Sequence, residues 1–235
     1  MKRVLTPTLL EQPQTAGDYL AWVKALIART KAEDPDGLRQ IRLRIGLAKE
    51  LMQEAFPIGV FATRYFHGSD EVQIALKVGS QGYDAVVHDK RTPSSGIEYI
   101  EVTMALEGEA DYLRMLTLHE TGQVSGLGRV TKTGTKRTGQ VVNVEAEAVS
   151  QAEVLAKERT VIAEAIERKV TKVYPANTAL VIGFDDTMSF DRTDNIANIQ
   201  STLAEFGDRL RVFHTVAVVG LVKNLFLCWH GADAA

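Results

Sequence analysis

The chain has a single cysteine, Cys228, among 235 residues. It can form no internal disulfide, and a reducing, cytoplasmic setting is expected. No apolar stretch approaches the ~20 residues of a membrane span, so no membrane partner is expected. The N-terminal MKRVLTPTLLEQPQ starts basic but lacks a continuous apolar run, which argues against a secretory signal. Internal repeats and low-complexity tracts are absent. Positive charge is not in excess either. The net charge is −3, so any contact with nucleic acid must come from a local basic patch. What is present, 45% apolar and 24% charged residues, suits one globular domain over residues 1–235.

In chain order, residues 1–14 read as extended or loose. Thr15-Ala16-Gly17-Asp18 has capping-box form and opens a helix to about Lys31, with Tyr19, Val23, Leu26 and Ile27 on one face. Asp34-Pro35 predicts an N-cap and a first-turn proline. The helix beyond it runs to about Phe56, with Ile41, Ile45, Ala48, Met52 and Ala55 at helical spacing, and Pro57-Ile58-Gly59 ends it. Glu50 and Glu54 lie one turn apart beside that stripe. Residues 71–78 alternate as a strand. Ala110–Leu118 could form a short helix, and the HETGQ that closes it lacks the second histidine of a zinc-protease helix. Ser150-Gln151-Ala152-Glu153 is a capping box for a helix to about Val173. ALVIGF, residues 179–184, is a continuously apolar strand of the doubly buried kind. A helix over 195–206 and strands over 212–219 and 224–229 complete the chain. The C-terminal strands are expected in the core, with an exposed edge or a homodimer contact as the alternatives, and His214 and His230 are expected to be structural. The order predicts a mixed α+β fold, a central mixed sheet flanked by helices.

The most informative stretch is Gly82–Ala105, which reads as a β-hairpin around the turn-forming DKRTPSSG. With the turn centred near residues 92 and 93, residue i faces residue 185 − i, and Asp84 falls opposite Glu101. Directly opposed side chains have Cβ atoms roughly 4.5–5.5 Å apart. Two carboxylates there repel unless a cation or a shared proton lies between them, and an oxygen-only pair suits Mg²⁺. The bland alternative is a solvated strand face with the register off by one. A second feature is RVTKTGTKRTGQ, within a basic insertion spanning 120–145. Arg129, Lys132, Lys136 and Arg137 there could grip phosphates, or the segment could be a solvated loop.

A helix with Glu50 or Glu54, a strand, a hairpin with Asp84 on one arm and Glu101-Val102-Thr103 on the other, then helix and strand, resembles the PD-(D/E)xK nuclease superfamily. The resemblance covers residues 36–190 and implies a restriction-endonuclease-like core, with N-terminal helices and C-terminal strands added. It implies a nuclease using Mg²⁺ or Mn²⁺ held by Asp84, Glu101 and Glu54 or Glu50, acting on nucleic acid, DNA before RNA, in a setting such as phage defence. Gly82-Tyr83-Asp84 replaces the family's Pro-Asp pair. Thr103 stands where the family has a lysine that activates water and stabilises developing charge. Lys77 on the neighbouring strand, or Lys90 in the turn, would then supply the positive charge. Two alternatives stay open: a catalytically impaired nuclease-like subunit that binds nucleic acid or protein, and an unrelated α/β enzyme using Asp185, Asp186 and Asp191 at a strand end.

Overall fold

The computed structural model describes residues 3–125, 128–135 and 139–230. In chain order the elements are α1 (Pro7–Leu10), β1 (Gln14–Thr15), α2 (Tyr19–Glu33), α3 (Gly37–Leu43), α4 (Leu47–Glu50), a π turn (Leu51–Ala55) and α5 (Phe56–Tyr65). Then come β2 (Val72–Leu76), β3 (Ala85–Asp89), β4 (Tyr99–Ala105), α6 (Glu109–Thr121), β5 (Val130–Thr135) and β6 (Gly139–Val144). The chain continues with α7 (Gln151–Val170), β7 (Thr178–Phe184), α8 (Arg192–Phe206), β8 (Thr215–Gly220) and β9 (Phe226–His230).

The result is the mixed α+β fold that the order of elements predicts. One sheet runs β1-β2-β3-β4-β7-β8-β9. Its outer pairs are antiparallel, while β4, β7 and β8 are parallel neighbours. The parallel steps need crossovers, and α7 and α8 supply them. β7 is buried along its whole length, as an apolar central strand must be. Ala179 and Val181 join the core under α2 and α5, which includes Ile58, Phe61 and Ile100. Leu180, Ile182 and Phe184 join the core under α7 and α8, with Ile162, Ile166 and Leu203. Gly183 is packed closely by its neighbour on β4 and by α5. A Cβ there would lie 2.8 Å from Met104 Sδ and 3.2 Å from Pro57 Cγ. The capping box at α7 closes as expected: Ser150 N–H donates to Glu153 Oε2 at 2.7 Å, and Glu153 N–H to Ser150 Oγ at 3.3 Å.

The second helix departs from expectation. It is broken after Leu43, where Arg44 (φ 53°) and Gly46 (φ 56°) adopt left-handed backbone. The break resets the helical phase, so Ile45, expected in the buried stripe, is 38% exposed, and Leu51 is buried. Pro57 does not end the helix. It sits in the first turn of α5, just past the π turn, where a missing N–H costs little. Within residues 1–14, expected to be extended or loose, Pro7–Leu10 forms a helical turn, and Gln14 with Thr15 forms a two-residue strand. The Thr15/Asp18 contact forms, but α2 begins only at Tyr19. Burial pushes the Cys228 thiol up to about 12, consistent with an inert packing residue. No helix among the described residues is long and apolar enough to cross a membrane.

Two buried acids hold the fold beyond β7. Asp186 is fully buried and accepts from the N–H groups of Val222 (2.7 Å), Lys223 (2.9 Å) and Leu225 (3.1 Å), clamping the β8–β9 turn. Asp186→Ala would strand three backbone donors and lower stability by about 3 kcal/mol, measurable by chemical denaturation. Glu158 on α7 accepts from Asn195 Nδ2 of α8 at 2.6 Å. Burial, joined by the charge of Asp186, pushes its carboxyl up to about 7, although the Asn195 bond opposes this. The folded state therefore favours the protonated acid. That stabilisation is complete below the ordinary carboxylate range and is lost as pH rises through about 7. Thermal melts should show Glu158→Gln exceeding the wild type by ~1–2 kcal/mol at pH 8, with little difference at pH 5.

Candidate functional site

The hairpin adopts the expected register. Ala85 faces Ile100 and Val86 faces Tyr99, both pairs summing to 185. The pairing stops there. Asp84 N–H still donates to Ile100 O at 2.8 Å, but the next bond is made by a side chain, Val102 N–H to Asp84 Oδ2 at 2.7 Å. β3 thus leaves β4 at Asp84, and Val102, Thr103 and Met104 line an open cleft at the edge of the strand. Backbone groups alternate along a strand, so the Val102 and Met104 carbonyls lie on this same edge. The Met104 carbonyl accepts from Arg168 at 3.1 Å.

Three layers deliver side chains to the cleft. Glu54 comes from the π turn on the α5 side and lines the cleft with Asp84. A π turn inserts one residue into the helical ladder and rotates the residues after it, a device frequent at functional sites. Glu101 projects toward α7, on the face of the sheet opposite Glu54, where Lys169 Nζ donates to its Oε1. Arg44, Lys49, Arg168 and Lys169 add positive charge to the walls of this cleft of about 420 Å³. Burial, then repulsion from Asp84, Glu50 and Glu101, pushes the Glu54 carboxyl up to about 8 against the pull of Lys49. Burial, then Glu101, raises Asp84 to about 6, opposed by the Val102 N–H and by Lys169 and Lys172. Burial, then Glu101 and Asp84, pushes the Tyr174 phenol upward.

Of the residues expected to act on water or metal, Glu54, Asp84 and Thr103 line this cleft, and Glu101, Lys77 and Glu50 do not. Lys77 touches the site only through its backbone, donating N–H to Asp84 O at 2.8 Å, and its side chain is not in the wall. The ammonium in contact is that of Lys169, 68 residues from Glu101 in sequence. Nothing local in the sequence marks it, since basic residues in the last turn of a helix are common for electrostatic reasons alone. Glu50 stands behind Glu54 instead of in the wall, with its Oε2 buried and unpartnered among the described residues. In the basic insertion β5 and β6 pair as a hairpin. Lys132 is tied to Glu109 Oε1 at 2.9 Å, Arg129 is exposed, and Lys136 and Arg137 lie outside the described residues. At the strand end, Asp185 accepts from Thr187 N–H and Asp191 caps α8, while Asp186 is the turn clamp.

The donor set suits a hard divalent cation. It is all oxygen, and its buried acids raise one another's proton affinity, a repulsion that a cation relieves. Among the described residues no three His, Cys, Asp or Glu side chains are preassembled around one point, because Glu101 is turned to Lys169. A cation would draw on Asp84 and Glu54, with Glu101 released from the ammonium.

No family model, curated protein or solved structure matches this chain. The chemistry of the cleft therefore has to be argued from its own residues.

The Lys169–Glu101 pair is buried, with side chains 15% and 9% exposed. Lys169→Met should leave an uncompensated carboxylate and cost about 3 kcal/mol. Glu101→Gln/Lys169→Met should recover most of that loss in a double-mutant cycle read by urea unfolding.

Proposed function

We propose that the chain is a divalent-cation-dependent nuclease of the PD-(D/E)xK type, hydrolysing phosphodiester bonds of nucleic acid. One observation carries the reading. Glu54, Asp84 and Lys169 line the cleft at the free edge of β4, and Glu101 lies beside it, held by Lys169. Hydrolysis adds water to phosphorus and breaks a P–O bond. The attacking water must lose a proton, the leaving oxygen must gain one, and negative charge builds on the phosphoryl oxygens between. Arg44, Lys49 and Arg168 line the same cleft and would take the non-bridging oxygens by charge-assisted hydrogen bonds, Arg44 with the donors that its Asp111 ion pair leaves over and Arg168 with those not spent on the Met104 carbonyl. Mg²⁺ or Mn²⁺ held by Asp84, Glu101 and Glu54 would lower the pKa of a bound water and offset phosphate charge. The Thr103 hydroxyl can orient the attacking water. Lys169, on the Glu101 side of the cleft, supplies the positive charge that Thr103 lacks, acting on the developing charge as an electrostatic stabiliser.

A second reading, binding without cleavage, is favoured by the Lys169–Glu101 contact, which occupies one carboxylate. Incubation with single- and double-stranded DNA and RNA separates the two. The nuclease reading expects cleavage that EDTA abolishes and Mg²⁺ or Mn²⁺ restores. Asp84→Asn should lower the rate about 10³-fold, and Lys169→Met about 10²-fold. Thr103→Lys added to Lys169→Met should regain part of the activity, since it returns a cation to the same cleft. Cleavage that persists in EDTA, or survives Asp84→Asn, would overturn the reading. Binding with no cleavage in any metal would leave the second.

A further inference from the structure

A second cavity adjoins the acidic cleft, and phosphodiester hydrolysis there makes no use of it. It encloses about 230 Å³ beyond the C-terminal ends of β4 and β7, between α6 and α7, bordered by residues 185–189. Leu106 lines both spaces. The walls are largely apolar, with Met115, Val154, Val161, Phe184 and Met188. Drug-sized pockets run to roughly 300–1,000 Å³, so this one suits a single planar ring system.

Six charged residues are set into these walls, Glu107, Asp111, Arg114, Lys157, Glu158 and Asp185, and two of them, Glu158 and Arg114, have a buried atom without a hydrogen-bond partner among the described residues. Glu158 is 8% exposed. Its Oε2 accepts from Asn195 and its Oε1 has nothing. The Arg114 side chain is 11% exposed. Its terminal nitrogens donate to Glu107 Oε2 (2.5 Å) and Gly128 O (3.0 Å), and its Nε has nothing. A stranded buried polar atom is costly, and two of opposite kind in one apolar pocket are rare without a ligand. One lacks a donor and the other an acceptor. An amino group next to a ring nitrogen or carbonyl, on a flat ring, offers both together. Cytosine, adenine and guanine carry that pairing, whereas thymine and uracil have carbonyl oxygens in place of the amino group. Apolar and thioether walls suit ring faces.

We propose that this cavity receives an unpaired nucleobase of the bound strand, its amino group donating to Glu158 and its neighbouring acceptor taking the Arg114 Nε–H once both side chains turn to uncover these atoms, which lie buried behind the wall. The assignment rests on the nuclease reading for the phosphate next door. It makes the protein selective for amino-bearing bases in single-stranded or locally opened nucleic acid.

Binding is measured at pH 8, where Glu158 is ionised and can accept, and in EDTA, which separates this test from catalysis. Fluorescence anisotropy with labelled oligo(dC), oligo(dA) and oligo(dT) of equal length should show the first two binding roughly 10-fold tighter than the third. Glu158→Gln presents an amide donor and should shrink or invert that ratio. Val161→Phe fills the cavity and should abolish it, and thermal melts establish that both variants are folded. Equal binding of all three oligomers, or a ratio unchanged in folded Glu158→Gln, overturns the base pocket. Free cytidine binding as tightly as oligo(dC) overturns the strand base in favour of a free nucleoside. Metal-dependent cleavage with flat base preference removes the pocket and leaves the nuclease. Base-selective binding without cleavage upholds the pocket and removes the catalytic reading.

Discussion

The departure of β3 from β4 after two paired residues is the constraint on which the rest of the architecture depends. Strand edges inside a sheet are normally closed by backbone partners, and an open one must be satisfied or covered. Here one side chain closes part of the gap. The Asp84 carboxylate accepts the Val102 N–H that a continuing β3 would have taken. Arg168 reaches over from α7 to the Met104 carbonyl. Those two backbone groups are thereby satisfied, and the second half of the strand lines a polar cleft within an otherwise apolar sheet.

That opening lets residues from both sides of the sheet meet. The π turn brings Glu54 from the α5 layer, and the last turn of α7 brings Lys169 from the other. Gathering acids in a half-buried space is unfavourable, and the raised proton affinities of Glu54 and Asp84 record it. Lys169 offsets part of the repulsion through Glu101. The remainder is borne by the two apolar layers, whose central strand β7 is buried from end to end. The same open end of the parallel strands leads, past Leu106, to the cavity holding Glu158 and Arg114. Both spaces belong to one continuous face at the strand C-termini, where open sheets with parallel strands place their ligands.

Local chemistry made much of this legible in the sequence. Alternation and a Pro- and Ser-rich turn placed the hairpin and its register, and the Ser150/Glu153 box placed the start of α7 to the residue. The continuous apolar run of residues 179–184 marked the central strand. The break in the second helix was not legible, because apolar spacing cannot report a left-handed residue at Arg44 or a π turn at 51–55. Both rephase the helix without altering its composition. Asp185 and Asp186 look alike in sequence, yet one caps its own local turn and the other is buried beneath a distant one.

The sequence by itself determined the β3–β4 hairpin and its register and the apolar central strand, since strand period and turn chemistry act over a few residues. Only the tertiary structure decided that Lys169, not Lys77, stands by Glu101, and that Glu54, not Glu50, reaches the cleft. The reason is geometric. A contact across 68 residues depends on how α7 crosses the sheet, and one helical residue is chosen over its neighbour by a rephasing that leaves no trace in composition.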